Sequence, residues 1–352
     1  MKNLTLIILC IIHCALCIQS TAQTSVTPFD ASKDYLNGIT YSLPKTELNI
    51  VITARCTIEK PGPFYQYAER YFATKEIITI NNETWQIDNI EIKSNAIADP
   101  NRTFQVAIDS RGVANNITYC HDNIIAGVNI SSDEPEALDK PNAYGKPLLD
   151  CTFDYSALNE DALVATSIPK MAEMVARQIY HIRESRTALL SADLDHLPDG
   201  EALKTMLAQL DAEEAELLAF FIGKSTTYTI TKEYSIAPDD DLQDYVIARI
   251  STAEGLTEAS NVIGEPIYLA IKGTYYNAPL TDPKKEKAPK GFYYNVPGKA
   301  IVTVDFDDIH KTTTLPIAQF GYTTSLDAKL TNSKTTKITF NPELGTITKI
   351  EK

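Results

Sequence analysis

The chain has 352 residues, with 32 Lys and Arg against 46 Asp and Glu, a formal charge of −14. So acidic a surface repels phosphate backbones and argues against nucleic acid as a partner. A bilayer span takes about 20 apolar residues, and no stretch after the N-terminus is that long, so no transmembrane segment is expected in the mature chain.

The start reads as a secretory signal. Lys2 precedes a nearly continuous apolar run over residues 4–18, and Ser20 and Ala22 are the small residues that a signal peptidase reads. Residues 1–22 are expected to be removed by cleavage before Gln23. The alternatives are an uncleaved N-terminal anchor, for which the apolar run is short, and a lipoprotein acylated at Cys17, although Leu16 before it is bulkier than such processing prefers. The expected location is the periplasm or cell envelope. Of six cysteines, Cys56, Cys120 and Cys151 then remain. Outside the cytoplasm thiols tend to pair. Cys56 alternates with Ile50, Ile52, Ala54 and Ile58 as a buried strand residue would, so Cys120 and Cys151 are the expected pair, if a bridge forms.

Residues 23–37 are polar and read as a loosely held arm. From Gly38, the stretch GITYSLPKTELNIVITARCTIEK alternates apolar and polar between Leu48 and Ile58, the mark of a half-buried strand. Pro61, Gly62 and Pro63 break it. In PGPFYQYAERYFATKE, Phe64, Tyr67, Ala68, Tyr71 and Phe72 recur at helical spacing on one stripe. That stripe is expected to pack on a sheet; the alternative is a groove whose rings stack on a ligand such as a sugar. TWQIDNIEIK and RTFQVAIDS read as two strands with Asp99, Pro100 and Asn101 turning between them. NIIAGVNI is a further strand, residues 131–147 an acidic, Pro-rich loop, and DCTFDYSAL a short extended segment.

The period then changes. Ile168, Met171, Met174, Val175, Ile179, Ile182 and Leu189 mark one amphipathic helix; Leu203, Met206, Leu207, Leu210, Leu217, Leu218 and Phe221 mark a second. Asp199 is placed to cap the second helix and Gly223 to stop it. The expectation is an antiparallel αα-hairpin whose stripes face each other and one β-layer. Eight acids and one base, Lys204, lie between Asp193 and Glu216, and Asp211, Glu213, Glu214 and Glu216 are expected in solvent.

After Lys224, TTYTITKEYSI, YVIARIS, PIYLAIKGTYY, KAIVTVDF, KTTTLPIAQFG, TKITF and GTITKIEK read as strands, the last two joined by a turn through Asn341 and Gly345. GITYSLPKTELNIVI at Gly38 echoes GFYYNVPGKAIVTVD at Gly291, with the two alternations offset by one residue. A duplicated β-lobe with a bulge to absorb the offset would explain the echo; chance similarity of two strands that begin after a proline would explain it equally.

Motifs for chemistry are few. His181 and Glu184 share a helical face without a third metal ligand. His196 lies among Asp193, Asp195 and Asp199, but Leu197 and Pro198 stand where a calcium loop needs ligands. No Gly-x-Ser-x-Gly and no phosphate-binding Gly-rich loop is present. No catalytic, cofactor-binding or metal residue is assigned, and no cofactor is expected.

YSLPKT, GPFYQYAERYF, RESRTALLSADLDHLPDGEAL and IAQFG, in that order, resemble a family of exported Bacteroidota proteins known as a domain of unknown function. The resemblance covers nearly the whole mature chain. It implies export from a Gram-negative cell and supplies no activity, cofactor or catalytic residue. The sequence is thus expected to be an α+β protein: an N-terminal β-rich portion over 23–165, the helical hairpin over 166–224 and a C-terminal β-rich portion over 225–352. The expected function is a non-enzymatic cell-envelope binding or assembly component with a protein or glycan partner. The alternative is a hydrolase of envelope polymers or glycans, its carboxylates brought together by the fold.

Overall fold

The computed structural model describes residues 25–30, 38–107, 116–130, 152–191, 200–252, 254–279, 291–327, 330 and 335–352. The protein is mixed α and β, with antiparallel sheets and, among the described residues, four named helices. The strands are β1 Ser25–Pro28, β2 Gly38–Lys60, β3 Asn82–Ala107, β4 Ile117–Tyr119, β5 Ile125–Val128, β6 Lys224–Ile236, β7 Leu242–Ser251, β8 Gly255–Glu258, β9 Glu265–Thr274, β10 Tyr293–Phe306, β11 Ile309–Ser325, β12 Lys337–Phe340 and β13 Ile347–Glu351. The helices are α1 Ala68–Phe72, α2 Glu160–Leu163, α3 Ile168–Leu190 and α4 Gly200–Ile222.

Among the described residues three sheets form, in the orders β1-β3-β2-β6, β11-β10-β9-β7-β8 and β13-β12-β5-β4. Part of the arm expected to be loosely held is thereby corrected to a strand: β1 pairs with β3 and buries Val26. The first two face each other across one core. Its residues come from both β-rich portions: Leu48, Ile50, Ile52, Ala54 and Cys56 of β2 meet Tyr228 and Ile230 of β6, Ile267 and Leu269 of β9, and Val302 and Val304 of β10. The period-2 alternation read from Leu48 to Ile58 is what directs this face inward. The third sheet covers a second core, built from Tyr41, Leu43, Phe104, Phe292, Ile125 and Phe340 among others.

The hairpins β2–β3 and β10–β11 run through both cores, and each is bulged at the crossing. Ser42 pairs with Thr103 and Pro44 with Ala98, so two steps along β2 span five along β3. Val296 pairs with Tyr322 and Gly298 with Ile317, again two steps against five. The extra residues at the first bulge are those expected to form a turn between separate strands. That expectation is corrected: Asp99, Pro100 and Asn101 lie within β3, because β2 pairs with both halves. A bulge also accommodates Pro44 and Pro297, which cannot donate to a ladder. The two echoing segments, from Gly38 and from Gly291, thus both enter strands that carry a bulge at a proline.

The two bulges meet in a buried polar joint. Asn295 Nδ2 donates to Pro44 O and Leu344 O, both at 3.1 Å, and its Oδ1 accepts from Arg102 Nη1 at 3.2 Å and Thr323 Oγ1 at 3.1 Å. Arg102 also reaches Asp99 at 3.4 Å. Thr46 Oγ1 accepts from Ala318 N at 2.9 Å, and Gln319 bonds both the N–H and the carbonyl of Thr46 at 2.9 and 2.8 Å. Beside it, buried Tyr41 accepts from Tyr293 N at 2.8 Å, and burial pushes its phenol well above the usual range.

Candidate functional site

The remaining core is helical. Phe64, Ala68, Ala172, Val175, Ile179, Ile182, Leu217, Phe220 and Phe221 are buried together. The aromatic stretch is a 3-10 turn, Tyr65–Tyr67, running into α1, and it packs on α4 rather than on the sheet expected for it. Phe64 lies 5.7 Å from Phe220 and 5.4 Å from Phe221, and Phe72 meets Phe221 edge-on at 4.9 Å. The third layer of the helical lobe is this segment together with α2, not a β-layer. The segment expected to be extended before α2 instead holds a 3-10 turn, Tyr155–Ala157, with the Asp154 side chain accepting from Ser156 N. Gly223 takes φ +94° as α4 gives way to β6, the left-handed conformation that ends a helix.

α3 and α4 are cross-linked by charge. Glu214 accepts from Arg183 Nε at 2.7 Å and also from Arg186, which reaches Asp211 at 2.7 Å. Arg183 further covers the rings of Phe72 and Tyr180 at 5.4 and 5.7 Å. The Glu214 side chain is only 12% exposed, which corrects the expectation that Glu214 is solvated along with Asp211, Glu213 and Glu216. Burial acts to raise its pKa, but the bonds from Arg183 and Arg186 outweigh that and hold the carboxyl below the usual carboxylate range. Depressed in the folded state, this group adds stability above its ordinary pKa and loses it as the pH falls through the lowered value. Acid titration below about pH 4 should therefore loosen the helical lobe of the wild type, followed by tryptophan-independent probes such as far-UV circular dichroism. The Glu214→Gln variant should lose most of that pH dependence while starting from lower stability at pH 7.

The apolar stripe of α4 is buried only in its second half. Leu217, Phe220 and Phe221 are inside, while Met206 is 44% exposed. The first turns of α4 lie against the last turns of α3, and between them runs a groove of about 400 Å³ lined by Ser185, Ala188, Leu189, Met206, Gln209, Leu210 and Glu213. Its floor is apolar. Asp211 is open to solvent.

Other chemical groups are placed as follows. His181 and Glu184 stand 3.9 Å apart, each 80% exposed, and share no third ligand. Among the described residues no group of three or more His, Cys, Asp or Glu could hold a metal ion. His196, Asp193, Asp195, Asp199 and Cys151 lie outside the described residues. Cys56 is fully buried on β2. Cys120 is a thiol, its sulfur 2.9 Å from His121 Nδ1, while His121 Nε2 lies 2.9 Å from Ala96 O. The imidazole donates to that carbonyl and so staples the β4–β5 turn to β3, leaving Nδ1 to accept from the thiol. Rings and carboxylates meet where Glu265, Tyr268, Asp305, Phe306 and Asp307 line a shallow cleft of about 310 Å³. There Asp305 is paired with His310, and both are open to solvent, so the dry pocket in which a carboxyl serves as a catalytic acid is not formed. No motif marks the groove in the sequence; Ser185 and Ala188 of α3 are too short to cover Met206.

These features define an α+β protein of antiparallel sheets with a helical lobe that carries an apolar, acid-edged groove. Residues 37–348 match the family model described as a domain of unknown function (DUF4831), and the chain belongs to that family. No curated protein and no solved structure matches it.

Proposed function

We propose that this protein is an exported, non-enzymatic binding or assembly component of the cell envelope, and that its α3–α4 groove receives an amphipathic basic helix of a protein partner. The groove is the observation that carries this reading. Its volume lies in the range of about 300–1,000 Å³ typical of binding clefts, and an apolar floor beside carboxylates suits a helix with an apolar face and flanking Lys or Arg. α4 holds five acids, Glu201, Asp211, Glu213, Glu214 and Glu216, against Lys204. The pairing of Arg183 with Glu214 and of Arg186 with Asp211 supports an antiparallel αα-hairpin, since later residues of α3 meet earlier residues of α4. The N-terminal pattern of Lys2, the apolar run, Ser20 and Ala22 supports export.

A fluorescein-labelled Leu/Lys peptide of about 14 residues, roughly four helical turns, serves as the probe. Anisotropy should show binding that weakens with salt and that Met206→Asn weakens about tenfold or more, equivalent to ~1.4 kcal/mol. Met206 is exposed, so thermal unfolding should be nearly unchanged. Equal binding of the variant, or equal binding of a Leu/Glu peptide, would sink the proposal.

A further inference from the structure

The loop between β8 and β9 presents two aliphatic side chains to solvent: Val262 is 81% and Ile263 78% exposed. Isolated exposed aliphatics are ordinary, but this pair sits on a loop that is held from below. The part-buried Arg249 donates from Nε to Ala259 O at 3.0 Å and from Nη1 to Gly264 O at 2.9 Å, so one guanidinium clamps both ends of the loop. Asn261 closes the middle: its Oδ1 accepts from Ile263 N at 3.2 Å, its N–H donates to Glu258 O at 3.0 Å, and its Nδ2 donates to Glu254 at 2.6 Å. Gly264 lets the loop lie against β7, where a Cβ would come within 2.8 Å of Ile250 O.

We propose that Val262 and Ile263 form a rigid apolar knob that inserts into an apolar cleft of a partner protein, and that this cleft is bordered by Lys or Arg. The chemistry of the border follows from the exposed carboxylates around the knob, Glu254, Glu258 and Glu265, which favour a basic surround and disfavour an anionic lipid surface. Val and Ile have few rotamers to lose, and the clamped backbone removes most of the remaining ordering cost of binding. This surface is separate from the α3–α4 groove and stands or falls independently of it.

The test is a photo-crosslinking side chain placed at position 262 of the full-length protein in its native cell, with position 233 on β6 as an exposed control. The expected result is a protein crosslinked from 262 and not from 233, at a peptide that contains apolar residues next to Lys or Arg. The purified partner should then bind the wild type at least tenfold more tightly than Val262→Asn/Ile263→Asn, with unchanged melting of the variant. Crosslinks to lipid, to a second copy of this chain, equally from both positions, or none at all would overturn the proposal. So would a purified partner that binds both forms alike.

Discussion

Phe220→Ala should lower the unfolding free energy by about 3–5 kcal/mol, the range for truncating a buried aromatic. Phe220 is fully buried and lies 5.7, 5.4 and 5.1 Å from the rings of Phe64, Phe153 and Tyr155. Its own carbonyl accepts from Phe64 N at 2.8 Å, so the side chain and backbone of one residue anchor the aromatic stretch to α4. Urea unfolding of the variant measures the loss. A change under about 1 kcal/mol, the scale of surface substitutions, would show that the aromatic segment is not the third layer of the helical lobe.

Asn295→Ala should cost about 2–4 kcal/mol, since each buried polar group stripped of its partner costs about 1–3 kcal/mol. The substitution leaves Pro44 O, Leu344 O and the Arg102 guanidinium facing a void in a joint where Asn295 itself is 1% exposed. Asn295→Asp keeps the volume and the contact with Arg102 but turns an acceptor on the two carbonyls. It should also destabilise the protein, and partly recover at acid pH, where a protonated carboxyl donates again. Thermal unfolding of the two variants across pH measures both effects. An Asn295→Asp variant as stable as the wild type at pH 7 would mean that the two carbonyl bonds contribute nothing.

Strands were the more legible part of the fold because their signal is local. The alternation of Leu48, Ile50 and Ile52, and that of Ala300, Val302 and Val304, is set by which face is dry, and a period of two survives without knowledge of the partner strand. The helices were legible for the same reason, and Gly223 marked the end of α4. What escaped was long-range. A turn and a bulge use the same residue types, and Asp99, Pro100 and Asn101 are one or the other only according to whether β2 runs past them. The partner of the aromatic stripe was likewise hidden, since Phe64 and Tyr71 would bury as well on a sheet as on Phe221. Glu214 looked like its neighbours Glu213 and Glu216 until Arg183 and Arg186, a helix away, were placed beside it. The groove was invisible for the opposite reason: Met206 and Leu210 keep the core-like spacing of Leu217 and Phe221, and the spacing does not tell that, among the described residues, no third layer covers Met206.

The continuity of the two long hairpins bears on how the chain reaches its native state. β2 and β10 each contribute to both β-cores, so neither core can be completed while the other is undone, and the two should nucleate together as one cooperative foldon. β2 must wait for β6, since Cys56 pairs with Tyr228 across a large sequence separation, and such non-local pairing slows folding. During that wait one long margin of β2 has no hydrogen-bonding neighbour, and the charged odd-numbered positions Glu47, Arg55 and Glu59, on the face opposite its buried residues, discourage that margin from pairing with another chain.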